Sequence, residues 1–312
     1  MSPPPADRQG LLPADITSPA ELRVRLEAYD YLADDGLATA AYLSLAMGRP
    51  LFLEGEAGVG KTALADALGG LLSAEVIRLQ CYEGIDASQA LYDWDFPRQL
   101  LHLRAVEAAG APTDQAGVDR LDREVYDRRF LVARPLLAAL ETSPCVLLID
   151  EVDRADDEFE AFLLQVLSDY AVTIPELGTI RAEVPPVAVL TSNRTREVHD
   201  ALKRRCLYHW VEHPSFEREV AIVRRQVPQA SDVLARQISA AAQLLREEGL
   251  AKPPGVAESI DWALALVALG AERLDPDTAI ATLGAVLKYR EDLDRVRRMD
   301  VGALIAVAVS GG

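Results

Sequence analysis

The sequence predicts an α/β protein, a three-layer αβα core with a parallel sheet, followed by an all-helical segment. Three observations predict it. Short apolar runs recur at residues 50–55, 75–81, 145–150, 186–193 and 207–213, as strands buried on both faces require. Stretches with apolar residues at helical spacing separate them, the alternation that builds a covered parallel sheet. After Pro214 the strand pattern stops, and residues 215–312 read as four or five helices with breaks near Pro228, 252–255, 274–277 and Arg290.

The elements follow in order. Residues 1–17 carry Pro3, Pro4, Pro5, Gly10 and Pro13 and read as a mobile tail, without the apolar stretch of a signal peptide. One helix starts at Ser18 or Pro19, and a second runs through LATAAYLSLAM after Gly36. PLFLEG is a strand, GEAGVGKT a glycine loop, ALADALGGLL a helix and EVIRLQC the next strand. The polar and aromatic stretch YEGIDASQALYDWDFP, residues 82–97, reads as a loop or insertion. Its alternating Tyr92, Trp94 and Phe96 suit either a client-binding patch or the insertion's own small core. Residues 98–110 look helical and APTDQAG looks like a break. RPLLAALE then leads into the strand CVLLID, the helix DDEFEAFLLQVLSDY, a hairpin around residues 175–178, and the strands PVAVLTSN and LYHWVEH.

The chain of 312 residues has 49 acidic against 32 basic side chains, a net charge of −17. That balance argues against a protein that coats nucleic acid, because phosphate backbones repel an acidic surface. Cys81, Cys145 and Cys206 lie far apart and read as reduced thiols of a cytoplasmic protein, not as a metal or disulfide framework. No apolar run reaches the ~20 residues that span a membrane. His209 and His213 are four apart, but the context alternates like a strand and offers no third ligand.

The chemistry concentrates in one motif. Gly55-Glu56-Ala57-Gly58-Val59-Gly60-Lys61-Thr62 fits GxxxxGK[ST] completely, with a strand before it and a helix, opening through Ala63, after it. The glycines let consecutive backbone N–H groups turn inward around phosphate oxygens, and the helix points its positive end at the same charge. Lys61 would reach the β- and γ-phosphates of ATP, and the Thr62 hydroxyl would serve Mg²⁺. Asp150 and Glu151 end a buried strand, where α/β folds place ligands. Asp150 suits the metal and Glu151 the attacking water. Asn193 ends another buried strand; it suits either a bridge from γ-phosphate to water or a plain turn. Lys203, Arg204 and Arg205 stand in a locally basic segment, with eight Lys or Arg against five Asp or Glu over residues 194–225. Either they form a solvated face, or an arginine reaches a neighbouring subunit's ATP. The layout is a tail at 1–17, a nucleotide-binding αβα domain at 18–213 and a helical lid at 214–312.

These elements, in this order, resemble the P-loop NTPases of the AAA+ class. Within them the chain looks like the MoxR family and its CoxD-like branch, encoded near carbon monoxide dehydrogenase genes. The similarity runs from about Tyr29 to Arg290 and rests on GRPLFLEGEAGVGKT, RLQCYEGIDASQALYDWDFPRQLL, VLLIDEVDRADDEFEAFLLQVLSDYAVTIPELGTI, LTSNRTREVHDALKRRC and KPPGVAESIDW. The resemblance implies that Gly55 to Thr62 are Walker A, Asp150 and Glu151 Walker B, and Asn193 sensor 1. Arg205 matches the arginine finger, with Arg204 the alternative. It further implies a hexameric ring, and client contacts by residues 82–97 and 172–184. One departure stands out: where many AAA+ proteins carry a sensor 2 arginine, this chain has Glu258 and Ser259, with Lys252 nearby.

Three functions compete. The first is an ATP-driven remodelling chaperone that matures a metalloenzyme client together with a von Willebrand A-domain partner. The second is a nucleic-acid motor, against which the charge of −17 speaks. The third is a nucleotide-dependent scaffold with little turnover, which would need neither Glu151 nor Arg205.

Overall fold

The computed structural model describes residues 11–110, 114–299 and 301–311. Residues 1–10 of the expected tail and 111–113 of the expected break lie outside the described residues. Residues 11–17, read above as the end of the tail, are anchored: Ile16 is buried, the Leu11 N–H donates to the Leu45 carbonyl at 3.0 Å, and the Tyr42 hydroxyl donates to the Thr17 carbonyl.

Helices α1 (Pro19–Glu27) and α2 (Asp35–Met47) lead into β1 (Leu51–Glu54), α3 (Lys61–Leu72) and β2 (Glu75–Gln80). The stretch expected to be a loop or insertion, residues 82–97, contains α4 (Ala87–Leu91) and β3 (Tyr92–Trp94), and the helix expected at 98–110 is α5 (Phe96–Ala108). Asp86 starts α4 through a reciprocal capping box with Gln89, a D-x-x-Q signal present in the sequence. Asp95 caps α5, with Pro97 in its first turn. Next come α6 (Gln115–Val125), which begins inside the expected break, β4 (Leu131–Ala133) and α7 (Pro135–Glu141). Strands β3 and β4 pair antiparallel over three residues each, too short to show a period in sequence. Tyr92 and Trp94 lie against the core, and Trp94 meets Tyr126 edge-on, whereas Phe96 is 64 % exposed.

Then follow β5 (Cys145–Asp150), α8 (Asp157–Asp169), the hairpin β6 (Ala171–Ile174) and β7 (Gly178–Arg181), β8 (Val187–Ser192), α9 (Asp200–Arg205) and β9 (Leu207–Trp210). Asp156 caps α8 by accepting the Phe159 N–H at 2.8 Å. Among the described residues after Pro214 there are six helices, one or two more than expected: α10 (Phe216–Gln226), α11 (Asp232–Glu247), α12 (Val256–Ala268), α13 (Pro276–Val286), α14 (Arg290–Arg298) and α15 (Val301–Gly311).

Five strands form one parallel sheet flanked by helices, in the order β2-β5-β8-β1-β9. Register places Gln80 beside Asp150 and Ile149 beside Leu190. The Leu207 N–H bonds the Pro50 carbonyl and the Val211 N–H the Glu54 carbonyl, so β9 runs with β1. Strands β5 and β8 are buried at every residue, which is why they are continuously apolar.

The chain divides into two compact units. One comprises Met1–Pro19, Thr39–Leu53 and Leu68–His209; the other comprises Ala20–Ala38, Glu54–Ala67 and Trp210–Gly312. The first is built on the sheet, with a core that includes Phe52, Leu147, Ile149, Phe159 and Leu190. The second has its own core around Trp262, whose indole N–H donates to the Thr282 hydroxyl at 2.7 Å. It also contains a fully buried carboxylate, Glu219, gripped by both Arg246 guanidinium nitrogens at 2.7 Å and by the Ser259 hydroxyl. Burying that charge is tolerable only because it is paired and hydrogen-bonded.

Candidate functional site

The phosphate-loop residues belong to the second unit. The loop leaves β1 at Gly55 and enters α3 at Lys61. Gly58 and Gly60 have φ of +76° and +95°, a region that glycine enters without steric cost. A Cβ on Gly60 would meet nothing within 4 Å, so positive φ alone calls for glycine there; one on Gly55 would strike the Val211 carbonyl oxygen at 2.4 Å. Val59 is buried, Glu56 is exposed and pairs with His213 at 3.1 Å, and Ala57 is half-buried. The buried Lys61 ammonium donates to the carbonyls of Gly55 and Glu56 at 2.7 and 2.6 Å. Thr62 and Ala63 occupy the first turn of α3. Tyr31, absent from the sequence reading, donates its hydroxyl to the Gly60 carbonyl at 3.2 Å. Burial pushes that hydroxyl's pKa well above its ordinary value, against the pull of Arg218.

The start of α12 lies on the same loop. The Ala257 N–H donates to the Gly58 carbonyl at 3.1 Å. Glu258 accepts the Gly255 N–H at 2.9 Å, and its Oε2 lies 2.6 Å from where a Cβ on Gly58 would stand. Ser259 is buried, bonded to Glu219 and the Gly255 carbonyl. The Lys252 ammonium sits over the Tyr289 ring, 6.0 Å from its centroid.

The carboxylate cluster belongs to the first unit. Asp150 is 4 % exposed; Arg78 pairs with it and the Thr191 hydroxyl donates to it. Glu151 has φ +54° and ψ +49°, a left-handed conformation that turns its side chain out of the line of β5. Its N–H donates to Thr191 Oγ1 at 2.9 Å. Its carboxylate receives Asn193 Nδ2 at 3.0 Å, Gln80 Nε2 at 3.1 Å and Arg154 Nε at 3.0 Å. The structure thus brings Glu151 and Asn193 together from residues 42 apart. The buried Asp153 holds the segment after Asn193, accepting N–H groups of Asn193 and Thr195 and the Thr195 hydroxyl. Beneath lies Cys81, whose thiol is pushed up to about 12 by burial first and then by Asp150, Asp153, Glu151 and Glu160.

Arg204 and Arg205 end α9 and are exposed. Arg49 fastens their backbone: its guanidinium donates to the carbonyls of Arg204, Arg205 and Cys206 at 2.9 to 3.2 Å. A cation there satisfies the helix's last carbonyls and complements its dipole. Sequence reasoning missed Arg49, Arg78, Gln80, Thr191 and Asp153. The alternation of Arg78 and Gln80 in EVIRLQ was the one visible signal, since it puts both on one face of a strand.

A strand–glycine loop–helix unit feeding a parallel sheet, with an acidic pair closing β5 and helices after β9, defines the AAA+ P-loop NTPase fold with a helical C-terminal part. The family profile of the AAA domain (dynein-related subfamily) matches residues 50–206, just over half of the chain. The chain belongs to that family, one of nucleotide-hydrolysing ATPases. A comparison with the curated proteins finds no match. Among solved structures, the RuvB Holliday junction branch migration motor of Thermotoga maritima is similar at 15 % identity and TM-score 0.46, covering 80 % of this chain and 66 % of that one. The chain therefore spans just under two thirds of that motor. Domain III of the Thermotoga maritima replication initiation protein DnaA is similar at 16 % identity and TM-score 0.45, covering 84 % of this chain and 96 % of that one.

Proposed function

We propose that the chain hydrolyses Mg-ATP and uses the cycle to remodel a protein client, as a MoxR-type chaperone of the CoxD-like branch. The observation that carries the hydrolytic part is the meeting of Asn193 with Glu151, next to Asp150 at the end of β5. A carboxylate beside a fixed amide is suited to orienting a water and accepting its proton. In this reading Glu151 takes the proton, Asn193 orients the water, and the amides from Gly55 to Ala63 with Lys61 bind phosphate oxygens. The chemistry of the donors suits a Mg-triphosphate: the loop's amides and Lys61 suit phosphate oxygens, and the Thr62 hydroxyl and, in the other unit, the Asp150 carboxylate are hard oxygen ligands of the kind Mg²⁺ prefers. Bound there, Mg²⁺ would neutralise charge on the phosphate oxygens. Arg205, or else Arg204, serves a neighbouring subunit's nucleotide.

The oligomer proposed is a hexameric ring, in keeping with the rings that AAA+ proteins commonly form. The client proposed is a metalloenzyme under cofactor assembly, of the carbon monoxide dehydrogenase kind, with a von Willebrand A-domain partner. Support comes from the selective stretches at residues 78–101 and 146–180, which resemble that branch. A cytoplasmic location accords with the three buried thiols; among the described residues no helix is long and apolar enough to cross a membrane.

Mg²⁺-dependent release of phosphate by the purified chain tests the activity, and its absence refutes it. Capture with Glu151→Gln, in the presence of ATP, should retain the metalloenzyme client and the A-domain protein. Recovery of labelled DNA at near-physiological salt instead would favour the nucleic-acid motor.

A further inference from the structure

We infer that Glu258 is a negative determinant of nucleotide affinity, a like charge that the lid holds against the phosphate loop and that discriminates ATP from ADP. The inference rests on the phosphate-binding reading of residues 55–62 and adds to it a residue from the opposite end of the chain's second unit.

Two contacts fix the geometry. The Ala257 N–H bonds the Gly58 carbonyl at 3.1 Å, so the first turn of α12 is tied to the loop. Glu258 Oε2, held by the Gly255 N–H at 2.9 Å, would lie only 2.6 Å from a Cβ on Gly58. A side chain at position 58 would collide with that carboxylate, so glycine there serves the lid as well as the loop's positive φ. Gly255 is closed in the same way: its Cβ would stand 2.7 Å from the Ala57 carbonyl oxygen. The residues from Gly255 to Glu258 and from Ala57 to Gly58 are thus in direct backbone contact.

The electrostatics follow. Consecutive Cα atoms are ~3.8 Å apart, so Gly58 stands within two residues of Gly60 and three of Lys61. An anion held by the loop's amides therefore lies on the order of ten ångströms from the Glu258 carboxylate, a distance comparable to the Debye length of ~8 Å at physiological salt. Among the described residues no cation pairs with Glu258. The nearest charged side chains of the loop are committed elsewhere: Lys61 to the Gly55 and Glu56 carbonyls, and Glu56 to His213. Lys252 is turned to Tyr289. The carboxylate therefore repels a bound polyphosphate, and repels the more highly charged ATP more than ADP. A sensor arginine at this place would do the opposite.

The single hydrogen bond from the Gly255 N–H to the Glu258 side chain allows a clean test, because a glutamine at this third helical position can accept it as glutamate does. Glu258→Gln keeps the hydrogen bond to the Gly255 N–H and removes only the charge. Dissociation constants of fluorescent ATP and ADP analogues, measured without turnover, should fall by roughly fivefold for ATP and less for ADP, as expected for one charge removed at this range. The gain should shrink toward none at high salt. Glu258→Asp, which keeps the charge, should retain the wild-type ATP-to-ADP ratio. Asp261→Asn removes an acid one turn further along α12, where Asp261 faces Lys288 at 3.5 Å, and should leave both constants unchanged. Equal constants in wild type and Glu258→Gln overturn the inference while leaving nucleotide binding intact. An equal gain from Asp261→Asn overturns it too, since net charge would then suffice. Wild type that binds neither analogue overturns this inference and the phosphate-binding reading together.

Discussion

The phosphate loop and the carboxylate cluster are built in opposite ways. The loop is backbone chemistry: two positive-φ glycines, carbonyls that hold Lys61, and amides at the head of α3. It occupies nine consecutive residues. The cluster is side-chain chemistry gathered from β2, β5, β8 and the turns after them, with every partner except Arg154 lying 40 to 72 residues away. Backbone sites depend on local conformation and appear as a contiguous motif. Side-chain sites depend on strand order and register, which no short motif encodes.

The comparison predicts that the two regions fail differently. Glu151→Gln should lower ATP hydrolysis by about 10²–10⁴-fold, the usual share of a general base, while nucleotide binding persists in an equilibrium assay. A loss of binding would show that the cluster also holds the ligand. Lys61→Ala should act on affinity, because it deletes charge-assisted hydrogen bonds of about 1.5–3 kcal/mol; that is about a tenfold to hundredfold rise in the dissociation constant by titration. Unchanged affinity would end the loop assignment.

Smaller effects sharpen the contrast. Asp153→Ala should cost about 1–2 kcal/mol in urea unfolding, because it removes the buried acceptor of the half-buried Asn193 N–H and of the exposed Thr195 N–H and hydroxyl. It should also lower turnover more than affinity, since it loosens the segment carrying Asn193. Arg78→Ala should change stability by only about 0–1 kcal/mol, as its side chain is 54 % exposed and solvent screens the pair. Its effect should appear instead in the Mg²⁺ concentration needed for hydrolysis, through the Asp150 it holds. The smallest expected signal is chemical. Burial pushes Cys81 and Cys206 up to about 12 and Cys145 up to about 11, so a thiol reagent at pH 8 should label none until the chain unfolds. Their folded values are raised, so the stability they contribute is complete below pH 9 and declines from pH 9 through pH 12. Urea midpoints measured across that range should fall.

How much was legible differs by element. All five sheet strands were visible: β1, β5 and β8 are buried at every residue and so mostly apolar, whereas β2 and β9 are partly exposed and are marked by their short apolar or alternating runs. The hairpin β6–β7 was visible through its Pro175 and Gly178 turn. The pair β3–β4 was not, since three residues carry no period. The helix α4 went unread although Asp86 and Gln89 spell a capping box, because the surrounding aromatic and turn residues masked it. The sixth helix of the C-terminal region was merged with its neighbour, since α14 and α15 are separated by only two residues.

The sequence alone determined the phosphate loop, the acidic pair after a buried strand and the change from strands to helices after Pro214. Each is a local pattern, set by backbone sterics or by which faces must avoid water. Only the tertiary structure decided that Asn193 meets Glu151, that Arg78 and Thr191 hold Asp150, and that Arg49 anchors α9. It alone placed Glu258 on Gly58. Those contacts join residues 41 to 200 positions apart, and their existence follows from strand order, register and helix packing.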